Sequence, residues 1–294
     1  TMTKKYILTI LATAFCLISM AQDDLKLKLD SIATTGLEKG IPGIQVIISD
    51  SKGYTIYNYG HHEIEKTTEV NDSTRWRYGS ITKVFTAVMI LQLESEGKLS
   101  IDDSVTKYID LKQHNAAGIT IKHLLNHSSG LYNYTASKKL KWEDTPNQCL
   151  ENSLKRKLNF TPGSKYDYCN TGYVILGLII EKITAQSYQQ NITERIFKPC
   201  GLESMIYCSD DKIPFNTARG YKIKHNKYTD FTEIDHSWAN SAGAVLGNLT
   251  DLNKFVDCLF KGNLIDSSHL KKMISPTIIY RDLNAEGKEW FYNE

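Results

Sequence analysis

The segment that most constrains the fold begins at Ser80, where a serine and then a lysine open an otherwise apolar run. Apolar residues at helical spacing continue from Ile81 through Met89, which predicts a buried helix. Side chains three residues apart lie on one face of a helix, so Ser80 Oγ and Lys83 Nζ can converge. Apolar surroundings disfavour an ammonium group and lower the lysine pKa. A neutral Lys83 amine could therefore help to deprotonate Ser80 for nucleophilic attack.

The spacing alone is weak evidence, because a serine three residues before a lysine occurs five more times in this chain. The other pairs are Ser49/Lys52, Ser95/Lys98, Ser104/Lys107, Ser209/Lys212 and Ser268/Lys271. All five lie among polar or turn-forming residues, which is typical of solvated surface. The ordinary alternative for such a pair is an N-cap serine followed by an exposed lysine. Only the pair at Ser80 precedes an apolar, helix-period run, and this context favours a functional pair.

Length and charge exclude some classes of protein. A chain of 294 residues can form one large domain or two small ones with an ample core. The formal net charge of +2 provides no broad basic surface, so we expect no nucleic-acid partner. Beyond the N-terminal residues, no apolar run reaches about 18 residues, so no membrane-spanning segment is predicted there.

The N-terminus has the layout of a secretory signal peptide. Two lysines precede an apolar run over residues 6–20, and Ser19 and Ala21 place small residues before a cleavage point. A short membrane anchor and a buried helix are the alternatives. We therefore expect residues 1–21 to be a signal peptide and residues 22–294 to be the exported domain, in the periplasm or secreted.

The cysteine pattern supports neither a metal site nor a specific set of disulfide pairs. Of six cysteines, Cys16 would leave with the signal peptide. The remaining five are Cys149, Cys169, Cys200, Cys208 and Cys258. This odd set contains no CxxC pair, so a zinc site has no support. Buried free thiols are the favoured interpretation, and one disulfide of unassigned pairing is possible in an exported protein. No metal and no cofactor are predicted.

Periodicity and turn residues predict a chain that mixes helices and strands. Strands at residues 44–48 and 54–59, joined by a turn at residues 50–53, predict a β-hairpin. Residues 138–148 are expected to form a polar surface loop or irregular helix, and residues 209–232 loops with short strands. Helices are predicted over residues 23–39, from Ser80 to near Gly97, toward Tyr108, after Thr120, and at residues 151–158, 174–183, 188–197, 249–260 and 269–273.

Several short motifs, taken in order, resemble those of the serine β-lactamase-like family. This family includes class C β-lactamases, penicillin-binding DD-peptidases, D-amino-acid peptidases and related esterases. The matching segments are Ile41-Pro42-Gly43, Ser80-Ile81-Thr82-Lys83, Glu96 to Asp103, His127-Ser128-Ser129-Gly130-Leu131, Phe160-Thr161-Pro162-Gly163, Tyr168-Cys169-Asn170, Pro199-Cys200-Gly201-Leu202 and Ala242-Gly243. The resemblance spans residues 41–260. It implies an α+β, transpeptidase-like fold with an antiparallel sheet flanked by helices and a helical subdomain.

The resemblance also implies roles for individual residues. Ser80 would attack a carbonyl carbon, and its backbone N–H would supply half of the oxyanion hole. Lys83 and Tyr168 would share the proton transfers. Asn170 would hold Lys83 and donate a hydrogen bond to a substrate amide. A packed aromatic for Tyr168 and a helix N-cap for Asn170 are the structural alternatives, and for His127 the structural role of a hydrogen-bonded core residue is favoured.

Two departures from the family pattern affect the prediction. A third family motif, Lys-Thr-Gly or His-x-Gly on a C-terminal strand, has no match here, so we expect that the chain is C-terminally truncated and lacks sheet strands. In addition, Cys169 stands where serine is common.

The sequence therefore predicts an exported, monomeric serine hydrolase. It would act through a Ser80 acyl-enzyme on an amide, a β-lactam or an ester, with a small molecule or peptide as its substrate. The alternative is a non-catalytic, penicillin-binding-like binding or sensor domain, or an inactive fragment.

Overall fold

A computed structural model describes residues 24–111, 116–137, 145–208, 213–225, 227–233, 237–275, 280–283 and 289–292. The predicted signal peptide, and residues 138–144 of the predicted polar loop, lie outside these ranges. The chain divides into two compact units, one that ends at Asp72 and one that begins at Ser73.

The N-terminal unit contains a helix and a β-hairpin. Helix α1 covers residues 24–38. Strands β1 (Gly43–Asp50) and β2 (Gly53–Gly60) pair antiparallel, with Asp50 opposite Gly53. Asp50 Oδ1 accepts a hydrogen bond from the Lys52 backbone N–H at 2.8 Å, which closes the turn. The predicted hairpin is confirmed, and both strands are longer than predicted.

The second unit contains the remaining elements. Its strands are β3 (Arg75–Arg77), β4 (Ile206–Tyr207), β5 (Tyr221–Lys224), β6 (Lys227–Asp230), β7 (Val245–Asn248), β8 (Tyr280–Leu283) and β9 (Glu289–Tyr292). Its α-helices are α2 (Thr82–Ser95), α3 (Ile121–Leu125), α4 (Pro146–Leu154), α5 (Asn170–Thr184), α6 (Tyr188–Ile192), α7 (Leu249–Phe260) and α8 (Ser267–Ile274). A short 3-10 turn at Val105–Lys107 takes the place of the helix predicted toward Tyr108.

Strand β7 is the centre of a small antiparallel sheet in the order β3–β7–β4. Trp76 of β3 lies opposite Gly247, and Ile206 of β4 lies opposite Leu246. Strands β5 and β6 form a separate hairpin, and so do β8 and β9. These small antiparallel sheets, combined with many helices, confirm the predicted α+β class.

Helix α2 passes through the core of the second unit. Ten of its fourteen residues are buried, as expected for a helix whose apolar residues extend around most of its surface. Phe85 stacks on Phe255 of α7 with ring centroids 4.0 Å apart. Helix α5 is also largely buried, and at Gly177 an added Cβ would lie 2.2 Å from Ser241 Oγ. Glycine at this position therefore permits the close approach of the segment before β7.

Three predicted helix positions need correction. Helix α4 was predicted at residues 151–158 but covers Pro146–Leu154, because Thr145 and Gln148 form a capping box with proline at the first helical position. Helix α5 begins at Asn170 and not at residue 174. The helix predicted from Ser80 begins with a 3-10 turn at Gly79–Ile81 before α2 proper.

The cysteines are divided between thiols and one disulfide. Cys149, Cys169 and Cys208 are buried thiols outside any disulfide, as the favoured interpretation predicted. Cys200 and Cys258 form a disulfide, with Cα atoms 6.0 Å apart. This bond links the segment after α6 to α7, and assigns the pairing that the sequence left open.

Within the described ranges, no helix is both long enough and apolar enough to cross a bilayer.

Candidate active site

Ser80 lies on a short turn that is held from both sides by one residue of strand β7. The Tyr78 backbone N–H donates to the Val245 carbonyl at 3.0 Å, and the Val245 N–H donates to Thr82 Oγ1 at 3.0 Å. Tyr78 and Thr82 flank Gly79–Ile81, so the two bonds fix both ends of the turn. Ser80 itself is exposed between these anchors. The sequence therefore places a solvent-accessible hydroxyl on a rigid support.

The Ser80 backbone N–H lies where a helix begins. The first N–H groups of a helix have no partner within that helix, and the dipole of the helix favours negative charge at its N-terminus. Ser80 lies in the turn that leads into the 14-residue helix α2. Both the unpaired N–H groups and the helix dipole would stabilise an oxygen that gains negative charge near Ser80.

Lys83 is the most constrained group of the site. Its Nζ lies 3.2 Å from Ser80 Oγ, 2.7 Å from Asn170 Oδ1 and 2.7 Å from the Ala242 carbonyl oxygen. The residue is only 6% exposed, and burial lowers the Lys83 pKa to about 8. Both the amide and the carbonyl oxygen can only accept hydrogen bonds, so two N–H groups of Lys83 are committed to them. In the neutral amine, the remaining lone pair is directed toward Ser80 Oγ.

Tyr168 approaches Ser80 from the other side. Its hydroxyl lies 2.7 Å from Ser80 Oγ and donates a hydrogen bond to it. Lys83 Nζ is 5.0 Å from the centroid of the Tyr168 ring, within the range of a cation–π contact. Tyr168 is 38% exposed, so its hydroxyl is accessible to a ligand that reaches Ser80. The packed-aromatic alternative for Tyr168 does not explain this hydroxyl contact.

Asn170 opens helix α5 but does not cap it, because Cys169 occupies the N-cap position. Its Oδ1 accepts from Lys83, and its Nδ2 donates to Thr135 Oγ1 at 3.0 Å. Its backbone N–H donates to Asn133 Oδ1 at 3.3 Å. One hydrogen of Nδ2 remains for a ligand, and the substrate contact of Asn170 stays a prediction. Ser80, Lys83, Tyr168 and Asn170 are thus all brought together.

Sequence reasoning missed three supporting residues. Thr82 had no predicted role of its own, yet its hydroxyl accepts the Val245 N–H and so anchors the nucleophile turn. Thr135 and Asn133 hold Asn170, and Asn133 Nδ2 also donates to the Tyr168 carbonyl at 3.3 Å. The only signal in the sequence was two polar residues near aromatic ones just after the His127 motif. Their partners lie 35 to 37 positions away in the chain, so the local pattern could not identify them.

His127 lies behind Tyr168 with its backbone in the left-handed region, at φ +59°. Its Nδ1 accepts the Cys169 backbone N–H at 3.1 Å, and its carbonyl accepts the Asp167 N–H at 2.9 Å. Burial, and secondarily the charge of Lys83, lower the His127 pKa to about 4. This arrangement agrees with the predicted role of a hydrogen-bonded core residue.

A pocket of about 720 Å³ opens beside Lys83. Ala87 and Leu91 of helix α2 form part of its apolar wall, and His127 and Tyr173 also line it. Small-molecule sites commonly enclose roughly 300–1,000 Å³. The pocket therefore has the size of a small-molecule site, and of the four residues Ser80, Lys83, Tyr168 and Asn170 only Lys83 lines it.

The donor chemistry of the site does not resemble that of a metal centre. Across the described ranges, no group of three or more His, Cys, Asp or Glu side chains is arranged to hold a metal ion. Ser80 Oγ contacts a lysine and a tyrosine, and the lysine in turn contacts an amide and a backbone carbonyl. They suit proton transfer to and from a serine hydroxyl.

Known proteins share both the sequence and the fold. Protein flp of Staphylococcus aureus is 28% identical over 288 residues, which include 92% of this chain but only 57% of flp. The D-stereospecific amidohydrolase of a Streptomyces species is 28% identical, with a TM-score of 0.74 and coverage of 85% of this chain and 81% of that one. An octameric penicillin-binding protein homologue of Pyrococcus abyssi is 26% identical, with a TM-score of 0.74 and coverage of 92% and 64%.

The family model described as Beta-lactamase matches residues 29–288, which is most of the chain. This match confirms the resemblance that the ordered motifs predicted and agrees with the folds of the solved relatives. The chain belongs to the β-lactamase family, the serine β-lactamase-like hydrolases.

Proposed function

We propose that this chain is an exported serine hydrolase that forms an acyl-enzyme at Ser80. The observation that carries the proposal is the position of Ser80 Oγ, 3.2 Å from Lys83 Nζ and 2.7 Å from the Tyr168 hydroxyl. A serine hydroxyl between a partly neutral amine and a phenol has both a proton acceptor and a proton donor within hydrogen-bond reach.

The reaction follows from these contacts. Neutral Lys83 takes the proton as Ser80 Oγ attacks the substrate carbonyl carbon, and the Ser80 N–H stabilises the resulting oxyanion. The C–N or C–O bond then breaks, and Tyr168 gives its proton to the leaving group while Lys83 re-protonates the phenolate. Water attacks the acyl-enzyme in the second half, loses a proton to the same groups, and releases the acid and free Ser80. Asn170 holds Lys83 in place and offers its remaining Nδ2 hydrogen to the substrate.

The amide of an amino acid is the substrate that we propose first. The Streptomyces relative is a D-stereospecific amidohydrolase that shares 28% identity and the fold over most of both chains. The remaining Nδ2 hydrogen of Asn170 is suited to the carbonyl oxygen of an amide. The pocket of about 720 Å³ beside Lys83 has the volume for an apolar side chain. β-Lactams and esters share the reacting carbonyl and remain alternatives to be tested beside amides.

Export is supported by the disulfide between Cys200 and Cys258. Stable disulfides form mainly in oxidising compartments such as the periplasm or the extracellular space. Together with the signal-peptide pattern of residues 1–21, this bond favours a periplasmic or secreted location. The predicted monomeric state stays a prediction, since the relative from Pyrococcus abyssi is octameric.

Intact-mass spectrometry of the full chain tests the function. The chain is incubated separately with a fluorescent penicillin, an activated ester and a D-phenylalanine amide, and adducts and free acid are measured. We expect one covalent adduct that maps to Ser80, is absent in Ser80→Ala and is retained in Ser49→Ala. Ser49 is the matched control because it also lies three residues before a lysine, Lys52, and is exposed near the end of strand β1.

An adduct that persists in Ser80→Ala would overturn the assignment of the nucleophile. If no adduct and no free acid form with any of the three probes, the non-catalytic alternative is favoured instead. If penicillin binds covalently without turnover, the protein is a penicillin-binding protein and not a hydrolase of β-lactams.

A further inference from the structure

We infer that His127 is a positioning residue that fixes Tyr168 for proton transfer by accepting a hydrogen bond at Nδ1. This inference rests on the proposed function, since it assigns the support of a group that acts on Ser80. In this role the His127 ring takes no part in the proton transfer itself. It acts through the backbone and the ring of its neighbour.

The first observation is that His127 holds the chain on both sides of Tyr168. Its carbonyl accepts the N–H of Asp167, the residue before Tyr168, at 2.9 Å. Its Nδ1 accepts the N–H of Cys169, the residue after Tyr168, at 3.1 Å. Two bonds from one residue to the flanking peptides fix the direction in which the Tyr168 side chain leaves the backbone.

The second observation is that the His127 ring supports the Tyr168 ring from behind. The centroids are 4.4 Å apart and the planes are inclined by 37°. Tyr173 and Tyr166 surround the same imidazole at 5.2 Å and 5.9 Å. The phenol is therefore restrained by ring contact as well as by the backbone. Its hydroxyl is thereby held 2.7 Å from Ser80 Oγ.

The third observation is that the Nδ1 contact requires one protonation state. An imidazole nitrogen that accepts an N–H bond carries no proton, so the neutral ring has its hydrogen on Nε2. Protonation would place a second hydrogen against the Cys169 N–H and break the bond. The titratable side chains near the ring are Lys83 and the three tyrosines, and burial, with the charge of Lys83, lowers the His127 pKa to about 4. The His127 ring is thus neutral at every pH at which the Lys83 amine is neutral and can act as a base.

The structure suggests a matched set of substitutions. In His127→Asn, the side-chain oxygen replaces Nδ1, and asparagine tolerates the left-handed backbone at φ +59°. In His127→Gln, the oxygen replaces Nε2 and leaves the Cys169 N–H without its acceptor. In His127→Phe, the ring contact with Tyr168 is kept and both nitrogens are lost. The set separates the Nδ1 bond from the ring contact.

The experiment measures the rate of Ser80 acylation by fluorescent penicillin or activated ester, whichever labels the wild type. Misplacement of a reacting group by about 1 Å can cost about 10²-fold in rate. We therefore expect His127→Gln and His127→Phe to acylate about 10–100-fold more slowly, mainly through kcat, and His127→Asn to be at least about tenfold faster than His127→Gln. The rise in rate near pH 8 should stay in place in every variant, because it belongs to Lys83.

A double-mutant cycle tests whether His127 acts through Tyr168. In a Tyr168→Phe background, His127→Gln should add little further loss, since the group that it positions is already absent. Full additivity in this cycle would overturn the inference, and so would equal rates for the Asn, Gln and Phe variants. If the Phe variant does not fold by circular dichroism, the comparison of Asn with Gln decides alone. Failure of the proposed function is distinct, because the wild type itself would then show no Ser80 adduct.

Discussion

At the scale of single residues, the geometry around Lys83 decides what the site can do. Its Nζ has two oxygen partners at 2.7 Å that accept hydrogen bonds in either charge state. Loss of a proton from Lys83 therefore changes only the contact with Ser80 Oγ at 3.2 Å, where a lone pair replaces an N–H group.

The i, i+3 spacing predicted the approach of Ser80 and Lys83, and the single Tyr-x-Asn motif predicted Tyr168 and Asn170. The acceptor at Ala242 was not predictable, because a backbone carbonyl has no signature in sequence.

The rate of Ser80 acylation should rise with pH up to about 8 and level off above it, because only the neutral Lys83 amine accepts the Ser80 proton. Asn170→Asp should move this rise to higher pH, since a carboxylate 2.7 Å from Nζ stabilises the ammonium form. The measurement is kcat/KM against pH with an activated ester. A flat profile in the wild type, or an unmoved rise in the variant, contradicts the role of Lys83.

His127 should make the protein sensitive to acid. Its pKa is lowered from 6.5 to about 4 in the folded chain, so the unfolded chain binds a proton more readily between these values. Stability is therefore lost as pH falls through this window, by about 3 kcal/mol in total. Urea unfolding at pH 7 and pH 4 measures the loss. It should be smaller in His127→Asn, which has no titrating ring, and an equal loss in both proteins would rule the explanation out.

At the scale of elements, the sequence located the helices whose positions are set by burial in the core. It misplaced a helix whose start is set by a local capping interaction. Helices α2 and α5 were recognised from long apolar runs, since burial determines both. Helix α4 was misplaced because its start depends on a capping box at Thr145 within a polar segment. The sheet order β3–β7–β4 joins strands that are distant in sequence, so no local pattern predicts it.

Thr82→Val should destabilise the second unit. Valine has nearly the shape of threonine but cannot accept the Val245 N–H, so a buried donor loses its partner. An unsatisfied buried donor typically costs about 1–3 kcal/mol, and the loosened turn should also slow acylation of Ser80. Urea unfolding and the labelling assay measure the two effects. Thr55→Val, on an exposed strand position, is the control and should change stability by no more than about 0.5 kcal/mol.

At the scale of the whole molecule, the Cys200–Cys258 disulfide closes a loop with a sequence separation of 58. Five cysteines outside the signal segment allowed several pairings, and only the packing of α7 brings these two together. The cross-link reduces the freedom of the unfolded chain, which is its main stabilising effect in the chain-entropy account. The fold class was predictable because the ordered motifs resemble those of a family of known fold, whereas this cross-link is a property of the three-dimensional packing.

Replacement of Cys200 and Cys258 by alanine together should lower the free energy of unfolding by about 2–5 kcal/mol. The measurement is guanidinium unfolding with and without dithiothreitol. The reductant should destabilise the wild type and leave the double variant unaffected. If the wild type is equally stable in both conditions, the bond does not stabilise the fold.

The two hydrogen bonds at Val245 have a consequence for how such a protein can diversify. They connect the ends of the nucleophile turn to a single residue, across a sequence separation of 163 residues from Thr82 to Val245. The length of the chain between Thr82 and Val245 therefore does not affect the direction in which the Ser80 side chain points. Insertions in its surface loops can remodel what reaches the hydroxyl while the direction of attack stays constant. A one-residue deletion within β7 would turn the Val245 N–H and carbonyl away from the nucleophile turn, so variation in length is expected in the surface loops between Thr82 and Val245 and not within β7.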